Sequence, residues 1–237
     1  MRKSLLVGAL SCLFLGAVPS LRADSLSPNA TVVPSSGSVT GTVVADTGNM
    51  SYTLLAGSKV KGTGTVREVV VTGDTNNPYP GGLTFIYQLA GVSTGDIARI
   101  TGDGYALKKT DVIVADAGSS SVTLTYLPST PAFVSGGTAA STADRSSLIA
   151  DNGDTVGFNF SSKLNPGDNS ELLIIRTDAT GYQPGDISLL DSGIASLGGF
   201  SPTPEPSTLA IFGLQMVGLG AFLVYRRKQS LQLARGA

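Results

Sequence analysis

The sequence predicts an all-β fold, an antiparallel β-sandwich of jelly-roll or immunoglobulin-like type, on three observations. Short segments alternate apolar and polar residues with a period of two, clusters of Gly, Pro, Asn and Asp separate them, and residues 24–203 contain no convincing helical period. The composition agrees. Thirty of the 237 residues are glycine and only 14% are charged, against usual shares of about 7% and about 25%.

Taken in order, residues 24–38 are rich in Ser, Pro and Thr and read as a flexible leader before a sandwich at 39–191. Strands are expected at 41–45, 51–55, 65–72, 83–89, 98–101, 111–115, 121–126, 145–149, 155–160, 171–177 and 187–190. The clearest places Leu83, Phe85, Tyr87 and Leu89 on one face, and another does the same with Val156, Phe158 and Phe160. Turn formers such as Thr72-Gly73-Asp74, Asp151-Asn152-Gly153-Asp154 and Asn165-Pro166-Gly167-Asp168 mark the reversals. Residues 192–203 read as a linker, and no internal repeat points to a solenoid or propeller.

Residue types narrow the chemistry. Histidine is absent and the single cysteine, Cys12, lies in an N-terminal apolar run. Histidine triads, cysteine nucleophiles, His/Cys metal sites and disulfides therefore have no residues to use in the mature domain. Residues 24–203 carry nine Lys and Arg against sixteen Asp and Glu, a net −7. That balance argues against nucleic acid as a partner, because phosphates need a positive surface.

The basic residues collect at the two ends, where they read as membrane addresses. Arg2 and Lys3, an apolar run at 5–18 and a Pro-containing exit form the three parts of a secretory signal peptide at 1–23, with cleavage expected after Ala23. A second apolar run, 209–225, has the length of a short transmembrane helix. Arg226, Arg227 and Lys228 follow it as a stop-transfer cluster, which leaves the tail at 229–237 in the cytoplasm and the domain outside.

Immediately before that helix stand Pro204, Glu205 and Pro206. The tripeptide, the span and the basic cluster together, over about residues 202–228, resemble the PEP-CTERM sorting signal of surface proteins of Gram-negative bacteria. The resemblance implies that exosortase, a membrane protease and transpeptidase of the inner membrane, recognises Pro204, Glu205 and Pro206. Two prolines hold such a segment extended and outside any helix, a form that a protease can thread.

Candidate sites within the domain are fewer. Ser58-Lys59-Val60-Lys61 matches Ser-x-x-Lys, but the segment alternates like a strand, which sends Ser58 and Lys61 to opposite faces. Asp96, Asp103, Asp111, Asp116, Asp144, Asp151 and Asp154 offer carboxylate pairs of the kind glycosidases use, although most sit beside Gly or Asn, where Asp serves turns. Asp151 and Asp154 are the candidate calcium ligands, without the order or distant Glu of an EF-hand. Tyr79, Tyr105, Tyr126 and Tyr182 are the candidate sugar-stacking rings, since Trp is absent.

The expectation is a non-enzymatic protein without a cofactor, exported, held by its C-terminal helix and sorted to the cell surface or extracellular matrix. There the β-domain would act structurally, adhesively or by contacting exopolysaccharide. The alternatives are a secreted carbohydrate-active enzyme with paired carboxylates, or an unprocessed type I membrane protein.

Overall fold

The computed structural model describes residues 25–128, 131–146 and 153–203. Ala23, Asp151, the Pro204-Glu205-Pro206 motif, both apolar runs and the Arg226-Arg227-Lys228 cluster lie outside the described residues.

Fourteen strands form one curled, largely antiparallel sheet, and no helix occurs among the described residues. They are β1 (Thr31–Val32), β2 (Ser35–Ser36), β3 (Val39–Asp46), β4 (Met50–Ala56), β5 (Lys59–Thr72), β6 (Thr84–Thr94) and β7 (Ile97–Gly102). The chain continues with β8 (Thr110–Ala115), β9 (Val122–Thr125), β10 (Thr142–Arg145), β11 (Val156–Leu164), β12 (Leu172–Thr177), β13 (Tyr182–Leu190) and β14 (Ile194–Pro202). The main path runs β1-β10-β11-β7-β13-β14-β4-β5-β6-β12-β8-β2. β3 adds to the C-terminal half of β5 and carries β9 beside it in parallel.

The length of β5 explains the curl. Its first half pairs with β4 and its second half with β3, while β6 follows its other edge. Register shifts in all three ladders bend these strands, as bulges do by adding a residue on one side. Alternation then decides which side chains face inward. Phe85, Tyr87 and Leu89 of β6, Ile100 of β7, Phe158 of β11 and Ile175 of β12 meet in one buried cluster. Ile86 and Ile174, the opposite face of the same strands, enter a second cluster with Val69, Val71 and Phe133. Strands buried on both faces read as continuous apolar runs, as 172–175 does.

Buried ion pairs tie strand ends to loops. Arg176 on β12 holds Asp74 at 2.9 Å and approaches Asp111 at 3.6 Å. Arg67 on β5 grips Asp46 through two bonds of 3.0 and 2.8 Å and lies over the Phe133 ring.

Three sequence expectations change. Residues 24–38 are not a free leader: Leu26 is fully buried, its N–H donates to Thr110 O at 2.9 Å, and β1 and β2 join the sheet. Residues 192–203 are not a linker, since β14 pairs with β13 along its whole length. The strand expected at 145–149 is met only at Arg145, the last residue of β10, whose ladder with β11 is formed by 142–145, and residues 147–149 lie outside the described residues.

Candidate functional site: an acidic cleft at one end of the sheet

The cleft is built around a buried arginine. Arg145 is the last residue of β10, is 4% exposed, and donates to five oxygens. Its Nε reaches Gly153 O at 2.7 Å, and Nη1 reaches Lys108 O at 2.8 Å, Thr110 Oγ1 at 3.2 Å and Leu26 O at 3.3 Å. Nη2 donates to Tyr105 O. A planar guanidinium supplies five donors in a fixed fork, so one side chain sets the N-terminal segment, the 105–108 turn, β8 and the 153–154 turn relative to one another.

Two of those turns and the open end of the β13–β14 hairpin enclose a cleft of about 590 Å³. Asp103, Asp154, Asp178 and Asp186 line it, with Lys108, Leu107, Pro184 and Ser201. Asp103 Oδ1 accepts the Asp186 N–H at 2.9 Å, Asp154 Oδ1 accepts the Ala106 N–H at 3.2 Å, and Asp178 Oδ1 accepts the Lys109 N–H at 3.0 Å. Partial burial, with the neighbouring Asp186 and Asp154 charges, holds the Asp103 carboxyl above its ordinary range. Leu107 stands on the rim at 85% exposure with φ of 61°. That left-handed backbone costs a non-glycine residue roughly 1 kcal/mol.

Beneath the cleft lies a buried polar cluster. Glu68 of β5 is fully buried, and its Oε2 accepts the Phe200 N–H of β14 at 2.7 Å. The Tyr87 hydroxyl faces the carboxyl and is bonded to the Tyr105 hydroxyl at 2.9 Å, but Oε1 lacks a hydrogen bond of good geometry. Burial pushes the Glu68 pKa up to about 8, opposed by the Phe200 N–H and Tyr87 and reinforced by Asp103. Glycine makes the room: a Cβ at Gly102 would stand 2.4 Å from the Tyr87 hydroxyl, and one at Gly199 would stand 2.4 Å from Glu68 Oε2.

The structure separates the sequence candidates. Asp103 and Asp154 come together in the cleft, joined by Asp178 and Asp186, which sequence reading missed. The others have different roles. Asp144 pairs with Arg99, Asp96 with Lys163 at 3.7 Å, and Asp111 with Arg176. Asp116 accepts the Gly118 and Gly136 N–H groups, which lower its pKa.

Ser58 sits in the β4–β5 turn, and Lys61 occupies the register shift opposite Leu54 and Leu55. Tyr105 is fully buried and offers no face for stacking on a sugar, while Tyr126 is half-buried and packs edge-on to Phe133 with centroids 6.3 Å apart. Tyr79 is half-buried, beside Ser25 and Lys109 in a separate hollow. Tyr182 is 38% exposed, edge-on to Phe200 with centroids 5.5 Å apart.

Among the described residues no group of three or more Asp, Glu, His or Cys could hold a metal ion, and no helix is long and apolar enough to cross a membrane. No family model, no curated protein and no solved structure matches this chain.

Proposed function

We propose that this chain is an exported, non-enzymatic surface or extracellular-matrix protein of a Gram-negative bacterium, delivered by its signal peptide and sorted through Pro204, Glu205 and Pro206. The observation that carries the reading is the ordered conjunction of those residues, the apolar span at 209–225 and Arg226-Arg227-Lys228 behind an N-terminal signal peptide. The position of the domain supports it. β14 ends at Pro202 and Thr203 N–H still donates to Gly181 O at 3.0 Å, so the motif begins at the edge of the folded domain. The fold is of sandwich type, with β5 and β6 shared between two layers. One cluster draws on Phe158 and Ile100 from one side of the strand order and on Val112 and Leu173 from the other.

Intact mass measurement of the protein from membrane and extracellular fractions, with and without exosortase in the host, tests this reading. The expected result is a species beginning near 24 and ending near 204–207 only when exosortase is present. A chain reaching Ala237 in the membrane of both strains would leave an unprocessed type I membrane protein with the same domain.

A second reading rests on the cleft. Asp103, whose carboxyl is held above its ordinary range, and Asp154 line the same cleft and would serve as the acid and base of a glycoside hydrolase. On that reading the secreted domain releases reducing ends from host exopolysaccharide and both Asp103→Asn and Asp154→Asn lose about a hundredfold or more of the rate. Equal, background-level release by all three proteins would eliminate it. Calcium remains a proposed ligand of Asp151 and Asp154.

A further inference from the structure

The end of the molecule opposite the cleft carries an exposed apolar row. Ile194 of β14 pairs with Leu55 of β4, and Leu55 pairs with Val60 of β5. Directly opposed residues of neighbouring strands project from the same face, so the three side chains form one row. Each is open to solvent, at 62%, 47% and 59% exposure. Lys59 and Lys61 flank Val60, are exposed, and make no ion pair among the described residues. In a domain of net −7 this hairpin tip is apolar and cationic. Ile194 and Ser201 are seven residues apart on β14, about 23 Å at strand rise, and Ser201 lines the cleft. The two surfaces therefore occupy opposite ends of the same ribbon.

We infer that the β4–β5 tip of one copy docks into the acidic cleft of a second copy, joining chains head to tail. Charge complementarity identifies the occupant. Lys59 and Lys61 meet Asp103, Asp154, Asp178 and Asp186, while the Leu55, Val60 and Ile194 row covers Leu107, the strained and exposed leucine on the rim. Tip and cleft are different surfaces, so the contact is heterologous and leaves a free tip and a free cleft at the ends of every assembly. Such contacts propagate into chains unless the rotation closes a ring. The inference goes beyond the sorting reading and does not depend on it.

Cysteine cross-linking of the full chain, solubilised in detergent and carrying Cys12→Ser, tests it. A Val60→Cys chain mixed with a Leu107→Cys chain should give a disulfide-linked heterodimer, and a chain carrying both changes should give a ladder. Lys59→Glu with Lys61→Glu, at the exposed start of β5 where neither side chain is buried, should cut the yield about tenfold, and added salt should weaken it. Leu107→Gly, which relieves the left-handed backbone, should keep the fold and shift sedimentation from oligomer to monomer. Val60→Cys chains that cross-link to themselves as readily as to Leu107→Cys chains would overturn the inference in favour of symmetric row-to-row pairing. Absence of the heterodimer, or oligomers that survive both the lysine reversal and Leu107→Gly, would overturn it as well.

Discussion

Replacing Arg145 with alanine is expected to lower the stability of the domain by about 4 kcal/mol, a large part of the 5–15 kcal/mol typical of a folded protein. The magnitude follows from what would be left behind. Gly153, Lys108, Leu26 and Tyr105 each present a main-chain carbonyl to the guanidinium, and Thr110 presents its hydroxyl. A buried acceptor stripped of its donor costs about 1–3 kcal/mol, a cost reduced at Leu26 O, which keeps the Thr110 hydroxyl at 2.7 Å, and at Tyr105 O, which keeps the Lys108 N–H at 3.0 Å. Lysine would not rescue the site, because an ammonium offers three donors from one atom and cannot span five acceptors in different directions.

Denaturant titration followed by tyrosine fluorescence is the measurement, and the absence of tryptophan leaves that signal clean. Arg145→Ala and Arg145→Lys should both move the midpoint far below that of the parent. An Arg145→Lys midpoint close to the parent's would show that charge alone, rather than the fork of donors, holds the turns around the cleft.

Arg145 also marks where sequence reading reaches its limit. Period-two alternation identified β6 and β11 because their inward residues are large and apolar, and β12 falls within the strand expected at 171–177. It missed β14, whose sequence holds two glycines and two serines, because β14 is held by a full ladder to β13. One of those glycines is required: Gly199 lies against Glu68. β1 and β2 were missed for a related reason. They are two-residue pairings made by main chain, and the side chain that anchors them, Leu26, stands alone among Ser and Pro. Main-chain pairing leaves no trace in a hydropathy pattern.

The cleft was half legible. Asp103 and Asp154 stood among the carboxylate candidates, but nothing local separates them from Asp96 or Asp144, which end in ion pairs. Asp178 follows β12 and Asp186 lies within β13, and only the return of β13 beside β7 brings both toward Asp103. Contacts over such sequence separations are set by topology. Likewise, Glu68 looks in sequence like half of a charged pair with Arg67, yet it shares the inward face of β5 with Val66 and Val70.

Glu68 should make stability depend on pH, with a sign opposite to that of most carboxylates. Its folded pKa, about 8, lies above its ordinary value of 4.5. The folded state therefore binds the proton more tightly than the unfolded chain does. The group's full contribution is present below about pH 4.5 and is lost progressively as pH rises toward 8, at about 1.4 kcal/mol per pH unit. The whole excursion is about 5 kcal/mol.

The groups that face Glu68 do not obscure this window. Tyr87 and Tyr105 have pKa values pushed well above 10 by burial and stay neutral, and Asp103 is the one further carboxyl coupled to it. Glu68→Gln, which keeps the shape and cannot ionise, isolates the effect. The stability of Glu68→Gln minus that of the parent should climb with pH between about 5 and 8 and level off above. A difference that stays flat from pH 5 to pH 9 would show that the carboxylate is accommodated without cost. Burial opposes the carboxylate while the Phe200 N–H of β14 favours it, so ionisation keeps that bond and its cost falls on the fold as a whole.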